Sequence, residues 1–140
     1  MYHSTSLLLP DGRVLHTGSG DGANAPRELS YELYSPPYLF RGPRPRLTGS
    51  TPAVVGYGQT LNVATPDGAS ITNVTFIRTS SVTHAFDQAA RLVPLAFSQV
   101  SGGLSVTLPA RRTTAPPGPY MLFFVNSSGV PSIGRILLLN

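Results

Sequence analysis

The sequence predicts an all-β fold with few helices. Its 14 glycines and 14 prolines are spread over 140 residues. They separate short runs rich in valine, threonine, leucine, phenylalanine and tyrosine, as turns separate strands. No long stretch carries apolar residues at helical spacing. A chain of this length buries roughly 70% of its unfolded surface on folding, so we expect one compact domain with a small appendage.

Charge and cysteine content exclude several classes of function. The net charge is +4, but the arginines are scattered apart from Arg41-Gly-Pro-Arg-Pro-Arg46, and no stacking aromatics are interleaved with them. We therefore expect no nucleic-acid partner. No segment is long enough to cross a bilayer, and no signal peptide is recognisable in the chain itself, so no membrane partner is expected. The absence of cysteine excludes disulfides and thiolate metal sites within this chain.

The pattern of strand and turn signals in residues 1–47 predicts part of a propeller blade followed by a connector. Residues 4–9 and 13–17 flank Pro10-Asp-Gly12, a turn signal because proline presets φ and glycine takes the left-handed position. Residues 29–34 alternate like a third strand, and the Ser35-Pro-Pro segment ends it because proline cannot donate to a ladder. Three short strands are most of one four-stranded blade. Residues 41–47 form a stiff proline-rich connector and the predicted domain boundary.

Residues 48–140 predict a β-sandwich of the immunoglobulin-like type. About seven short strands with turn signals between them are typical of that fold. The run Met121–Val125 and the run Ile136–Leu139 are apolar throughout and should lie centrally. Tyr120 follows a proline-rich turn and is expected to bond back across a sandwich corner, a structural role. The predicted strands are 53–55, 60–64, 73–78, 92–99, 104–108, 120–126 and 132–139.

Four motifs together resemble the C-terminal part of the galactose oxidase and glyoxal oxidase family, the copper radical oxidases. They are Tyr2-His3-Ser4 followed by Leu7-Leu-Leu-Pro-Asp-Gly-Arg13, Tyr34-Ser-Pro-Pro-Tyr-Leu-Phe40, Ser81-Val-Thr-His84, and Ala115-Pro-Pro-Gly-Pro-Tyr-Met-Leu-Phe123. Each is weak alone, but their order and spacing are those of the family. The resemblance implies a kelch-type propeller, whose partial last blade would be residues 1–47, followed by an early-set immunoglobulin-like domain in residues 48–140.

The resemblance also implies a set of copper ligands. Tyr2 corresponds to the axial phenol that takes up the proton of the substrate alcohol, and is the one catalytic residue expected here. His3 and His84 correspond to the two equatorial imidazoles. Copper(II) favours nitrogen and oxygen donors, and imidazole suits it well. Because adjacent strand residues point to opposite faces, Tyr2 and His3 could reach one ion only from an irregular backbone.

The implied function is that of an enzyme segment. The parent would oxidise primary alcohols or aldehydes while reducing O₂ to H₂O₂, and would be secreted. Its substrate would be a small alcohol, aldehyde or carbohydrate. The family's radical cofactor joins a tyrosine to a cysteine, so this cysteine-free chain is not expected to be active alone, nor to bind copper tightly without the upstream propeller blades. The alternative is a non-catalytic immunoglobulin-like module with a structural or carbohydrate-contacting role.

Three further expectations concern contacts. Arg78 and Arg91 flank the His84 loop and could pair with Asp87 to stiffen it, although exposed arginines are an equally good interpretation. His16 shares a strand face with Val14 and should satisfy a local hydrogen bond without chemistry. Residues 1–40, cut from their blade neighbours, should either pack on the sandwich, pair between chains through their unpaired strand edges, or stay loosely ordered.

Overall fold

The computed structural model describes residues 3–20, 23–84 and 86–140, and these residues form an all-β structure, as predicted. Two single turns of 3₁₀ helix, Pro37–Phe40 and Gly68–Ser70, interrupt the strands. In the described part of the chain, no helix is long and apolar enough to span a membrane. The strands are β1 (Thr5–Leu8), β2 (Val14–Ser19), β3 (Glu28–Tyr34), β4 (Val54–Val55), β5 (Thr60–Ala64), β6 (Ile71–Arg78), β7 (Val82–Thr83), β8 (Phe86–Asp87), β9 (Leu92–Pro94), β10 (Phe97–Val100), β11 (Gly103–Thr107), β12 (Gly118–Asn126) and β13 (Arg135–Leu139).

The first three strands form a separate antiparallel sheet in the order β1-β2-β3. The predicted turn joins β1 to β2. Leu9 and Arg13 close it with an N–H to carbonyl bond of 2.9 Å, and Gly12 takes a φ of 80° that a residue with a side chain rarely adopts. Asp11 accepts from the backbone N–H of Arg13 at 3.0 Å and from its guanidinium at 2.7 Å. The local chemistry therefore fixes this hairpin as the sequence indicates.

The remaining strands, apart from β7 and β8, form a β-sandwich with its own core. One sheet has the order β4-β13-β12-β6-β9, and the other has the order β10-β11-β5. Leu104 and Val106 point from β11 into the core and are fully buried, as their alternation predicts. The Tyr120 hydroxyl donates to the carbonyl of Pro116 at 2.8 Å, and its ring stacks on Phe76 at 4.5 Å. The predicted sandwich and its tyrosine corner are both present.

Two strand predictions are wrong. Residues 92–99 are not one strand: β9 pairs with β6 in one sheet, and β10 pairs with β11 in the other. The chain changes sheets between Leu95, whose N–H donates to the carbonyl of Val74 in β6 at 2.9 Å, and Ala96, whose carbonyl accepts from the N–H of Thr107 in β11 at 2.9 Å. The run 136–139 is not buried throughout, because Ile136 and Leu138 are exposed while Leu137 and Leu139 are fully buried. β13 therefore has only one face on the core.

The small sheet is fastened to the sandwich by polar and apolar contacts. The Arg44 guanidinium donates to the carbonyls of Pro131 at 3.0 Å and Ser132 at 2.9 Å. The N–H of Gly134 donates to the carbonyl of Pro10 at 2.7 Å. An apolar cavity of about 220 Å³ lies between the two parts, with Leu8 from β1 in its lining. These contacts fix β1 relative to the sandwich, and so fix the chain segment that carries His3.

Candidate metal centre

His84 lies at the tip of a two-stranded hairpin that interrupts the path from β6 to β9. In this hairpin, Val82 opposes Asp87 and Thr83 opposes Phe86. His84 begins the connection between β7 and β8 with a φ of 54°. A left-handed conformation is uncommon for a residue with a side chain, and such conformations concentrate in tight turns and functional sites. The hairpin geometry therefore presents this imidazole at a tip rather than in the sandwich interior.

Asp87 holds the base of this hairpin together. Its carboxylate accepts from the backbone N–H groups of Ser81 and Ala89, each at 3.0 Å. Partial burial alone would raise the pKa of Asp87, but these two N–H donors and the Ser80 hydroxyl outweigh it and lower that pKa overall. The carboxylate thus stays ionised and keeps both ends of the loop in place.

The expected pairing of Asp87 with arginine is wrong. No ion pair of Asp87 occurs among the described residues. Arg91 instead donates to the carbonyls of Thr113 and Thr114 at 3.0 and 2.7 Å, and Arg78 donates to the carbonyl of Pro117 at 3.1 Å. Backbone N–H groups satisfy the carboxylate, so the arginines are available to tie the hairpin's flanks to a neighbouring sandwich loop.

His3 precedes β1 and also has a left-handed backbone, with a φ of 61°. The irregular backbone expected around this residue is therefore present. Tyr2, the predicted axial phenol, lies outside the described residues. The β7 strand lies against β1, so the hairpin tip and the start of β1 meet on the same side of the molecule.

The two predicted imidazoles are brought together. The ring centroids of His3 and His84 are 4.4 Å apart, with their planes at 89°. An imidazole nitrogen lies about 2 Å from a bound first-row ion, so two rings in adjacent positions of one ion have centroids about 4 to 5 Å apart. The spacing and the donor type both fit copper. The pair is thus a candidate for two ligands of one metal ion.

Thr83 is a residue of this site that the sequence reasoning missed. Its hydroxyl lies 2.8 Å from Nδ1 of His84. A hydrogen bond at one ring nitrogen fixes the orientation of the ring and leaves the other nitrogen, Nε2, for a different partner. The only signal in the sequence was a hydroxyl residue directly before the histidine, which is too common to single out.

The rest of the candidate site is sparse. Within residues 3–20, 23–84 and 86–140, no group of three or more histidine, cysteine or carboxylate side chains could hold a metal ion. His16 lies in β2, where Nδ1 is 2.8 Å from the Ser6 hydroxyl. This is the local hydrogen bond predicted for it, and the structure gives His16 no place beside the pair.

The fold defines a class of protein, an immunoglobulin-like β-sandwich joined to a small antiparallel sheet. Comparison with known proteins specifies it further. The sequence profile described as "Galactose oxidase-like, Early set domain" matches residues 44–139. The chain therefore belongs to the galactose oxidase-like early-set family, and the resemblance found in its motifs is confirmed.

Individual relatives agree with this assignment. A galactose oxidase of Gibberella zeae is 35% identical over 98% of this chain and 21% of its own length. The aldehyde oxidase GLOX of Vitis pseudoreticulata is 38% identical over 96% of this chain and 29% of its own length. A fungal alcohol oxidase of the AA5 family, solved in complex with copper, superposes with a TM-score of 0.86 at 28% identity, covering 98% of this chain and 30% of that one. The chain spans between a fifth and a third of the length of these relatives.

Proposed function

We propose that this chain is the C-terminal segment of a galactose oxidase-like copper radical oxidase and supplies part of its copper site. The reaction of the intact protein would convert a primary alcohol to an aldehyde, or an aldehyde to the corresponding acid. Two electrons and two protons pass from the substrate, or from its hydrate in the aldehyde case, to O₂, which becomes H₂O₂. The single observation that carries the proposal is the contact between the His3 and His84 rings, 4.4 Å apart.

Three side chains have assigned roles in this proposal. His3 and His84 hold the copper through imidazole nitrogens, and Tyr2 provides the phenol that takes up the alcohol proton. Thr83, bonded to Nδ1 of His84 at 2.8 Å, orients that ring so that Nε2 serves as the ligand. When bound, copper would supply one-electron redox chemistry, which imidazole ligation suits. A second one-electron store, the tyrosine joined to cysteine, would come from the upstream part of the protein.

The domain division follows the same proposal. Residues 1–47 would be the partial last blade of a kelch propeller with its proline-rich connector, and residues 48–140 the sandwich that projects His84 toward it. The upstream blades are the proposed partner of this segment, and secretion is the proposed destination of the parent. The separate β1-β2-β3 sheet, distinct from the two sandwich sheets, supports this division.

The experiment uses the longer protein that contains this segment. We expect H₂O₂ production from primary alcohols or aldehydes, and a copper(II) resonance with hyperfine coupling to two imidazole nitrogens. His3→Ala and His84→Ala should each remove one nitrogen coupling and reduce activity by at least 100-fold, about 3 kcal/mol. His16→Ala is the matched control and should change neither. Retention of both couplings in the double variant His3→Ala with His84→Ala would contradict the proposal.

A structural or carbohydrate-contacting module is the second candidate, and the observation that favours it is that no group of three or more possible metal-ligating side chains occurs among the described residues. The 140-residue chain alone should bind copper weakly in a calorimetric titration, because two imidazoles and a phenol leave the ion open. Tight stoichiometric binding would contradict the proposed dependence on upstream blades. An upstream sequence without the tyrosine and cysteine would favour the second candidate.

A further inference from the structure

The loop before β12 binds side chains through five successive backbone carbonyls, those of residues 113–117. The carbonyl of Ala115 accepts from the Tyr57 hydroxyl at 2.7 Å, and the carbonyl of Pro116 accepts from the Tyr120 hydroxyl at 2.8 Å. The other three carbonyls accept from arginine guanidinium groups. Because the prolines at positions 116 and 117 lack an N–H, this segment cannot pair as a regular strand. We call residues 113–117 the carbonyl loop.

The two arginines that bind the carbonyl loop come from the two flanks of the His84 hairpin. Arg78 is the last residue of β6, and Arg91 directly precedes β9. The N–H of Arg78 also donates to the carbonyl of Arg91 at 2.9 Å, which closes the base of the hairpin. Arg91 reaches two carbonyls of the loop through one nitrogen, Nη1, and Arg78 reaches a third. Hydrogen bonds from charged donors are about twice as strong as neutral ones. The hairpin therefore leaves the sandwich from a base that is held on both sides.

The carbonyl loop is itself fixed to the sandwich core. Tyr120 is fully buried, and its ring stacks on Phe76 with centroids 4.5 Å apart. Tyr57 packs against the same core. The Arg78 guanidinium lies 5.9 Å from the centroid of the Tyr120 ring, within the range of a cation–π contact. The core thus determines where the carbonyls lie, and the carbonyls determine where the two guanidinium groups lie.

We propose that Arg91 and Arg78 are positioning residues that aim His84 at His3. At about 3.3 Å per residue of extended backbone, the hairpin tip lies up to about 20 Å from its base. A rotation of about 10° at the base would then move the tip by about 3 Å, which exceeds a metal–imidazole bond of about 2 Å. For copper binding this role rests on the proposed function, whereas the direction of the hairpin is a property of the chain alone.

Ring cross-peaks between His3 and His84 in nuclear Overhauser spectra of the metal-free 140-residue chain measure the direction of the hairpin. Arg91→Ala should reduce their intensity at least 3-fold, because that flank loses two carbonyl partners. Arg78→Ala should reduce it less, because it gives up one carbonyl bond. Arg91→Lys should retain most of the intensity, since one ammonium nitrogen can donate to both carbonyls, as Nη1 does. Arg111→Ala removes another exposed arginine next to the carbonyl loop; it is the matched control and should change nothing.

The same variants test copper binding in the longer protein. Arg91→Ala should weaken copper affinity at least 10-fold, about 1.4 kcal/mol, whereas Arg111→Ala should leave it unchanged. A failure of the proposed function would appear separately, as copper binding that His3→Ala and His84→Ala do not alter. That result would not affect the cross-peak measurement, which needs no metal.

Three results would overturn the positioning role. The first is a set of His3–His84 cross-peaks that Arg91→Ala leaves at full intensity, or that Arg111→Ala weakens equally. The second is loss of the ring cross-peaks between Phe76 and Tyr120 in Arg91→Ala, because Arg91 would then support the sandwich rather than the direction of the hairpin. The third is a copper affinity that Arg91→Ala leaves unchanged in a protein whose copper binding requires both histidines.

Discussion

The β11 and β3 strands show the same sequence alternation but opposite burial. In β11, Leu104 and Val106 are fully buried in the sandwich core. In β3, the alternating residues Leu29, Tyr31 and Leu33 are all exposed. Alternation sets which face is apolar, while burial requires a second layer to cover that face. The sandwich contains both of its layers, whereas the outer side of the small sheet lacks one in the described residues.

This difference in burial predicts that truncating apolar side chains in the two regions lowers the free energy of unfolding by different amounts. Phe124→Ala removes a fully buried ring from β12 and should lower the free energy of unfolding by about 3 to 5 kcal/mol. Leu29→Ala in β3 should cost less than about 1 kcal/mol, since Leu29 is 88% exposed. Urea denaturation of both variants measures this. Equal losses of free energy in the two variants would contradict the exposure of β3 in the structure.

Loss of the tyrosine-corner hydrogen bond should lower the free energy of unfolding by a smaller amount. Tyr120→Phe removes the hydroxyl that bonds the Pro116 carbonyl and leaves the stacked ring in place. The free energy of unfolding should fall by about 1 kcal/mol. Tyr38→Phe, which loses a bond to the Gly12 carbonyl in the small sheet, is the matched comparison. An effect of Tyr38→Phe on the cooperative transition as large as that of Tyr120→Phe would show that both regions unfold as one unit.

The smallest effect should come from the first turn. Partial burial alone would raise the pKa of Asp11, but the backbone and guanidinium of Arg13 lower it below the ordinary value of 3.8. A lowered folded pKa stabilises the fold above that ordinary value, and the contribution is lost as the pH falls through the folded pKa. Asp11→Asn should therefore cost about 0.5 kcal/mol at pH 7. The cost should vanish in strong acid, and a cost independent of pH would contradict this cause.

Turns and strands were predictable because their causes are local. Pro10-Asp-Gly12 specifies a hairpin, and the alternation of Leu104 and Val106 specifies a face. The change of sheet after Leu95 was not predictable, because both halves of residues 92–99 have strand-like composition and only the packing assigns them to different sheets. Likewise, Asp87 takes backbone partners that depend on how its hairpin folds.

The candidate metal centre was also only partly predictable from the sequence. Sequence motifs singled out His3 and His84, yet no local rule indicates that residues so distant in the chain should meet. That contact depends on the docking of the small sheet through Arg44 and on the projection of the hairpin from β6 and β9. Thr83 became recognisable only when its hydroxyl was found beside the ring.

The most direct measurement of the central claim is a nuclear Overhauser experiment on the metal-free 140-residue chain. With only three histidines, the imidazole ring protons can be assigned from single variants. The account predicts cross-peaks between the rings of His3 and His84, whose centroids are 4.4 Å apart, and none from either ring to His16. An absence of cross-peaks between His3 and His84 in the folded chain would contradict a shared metal site.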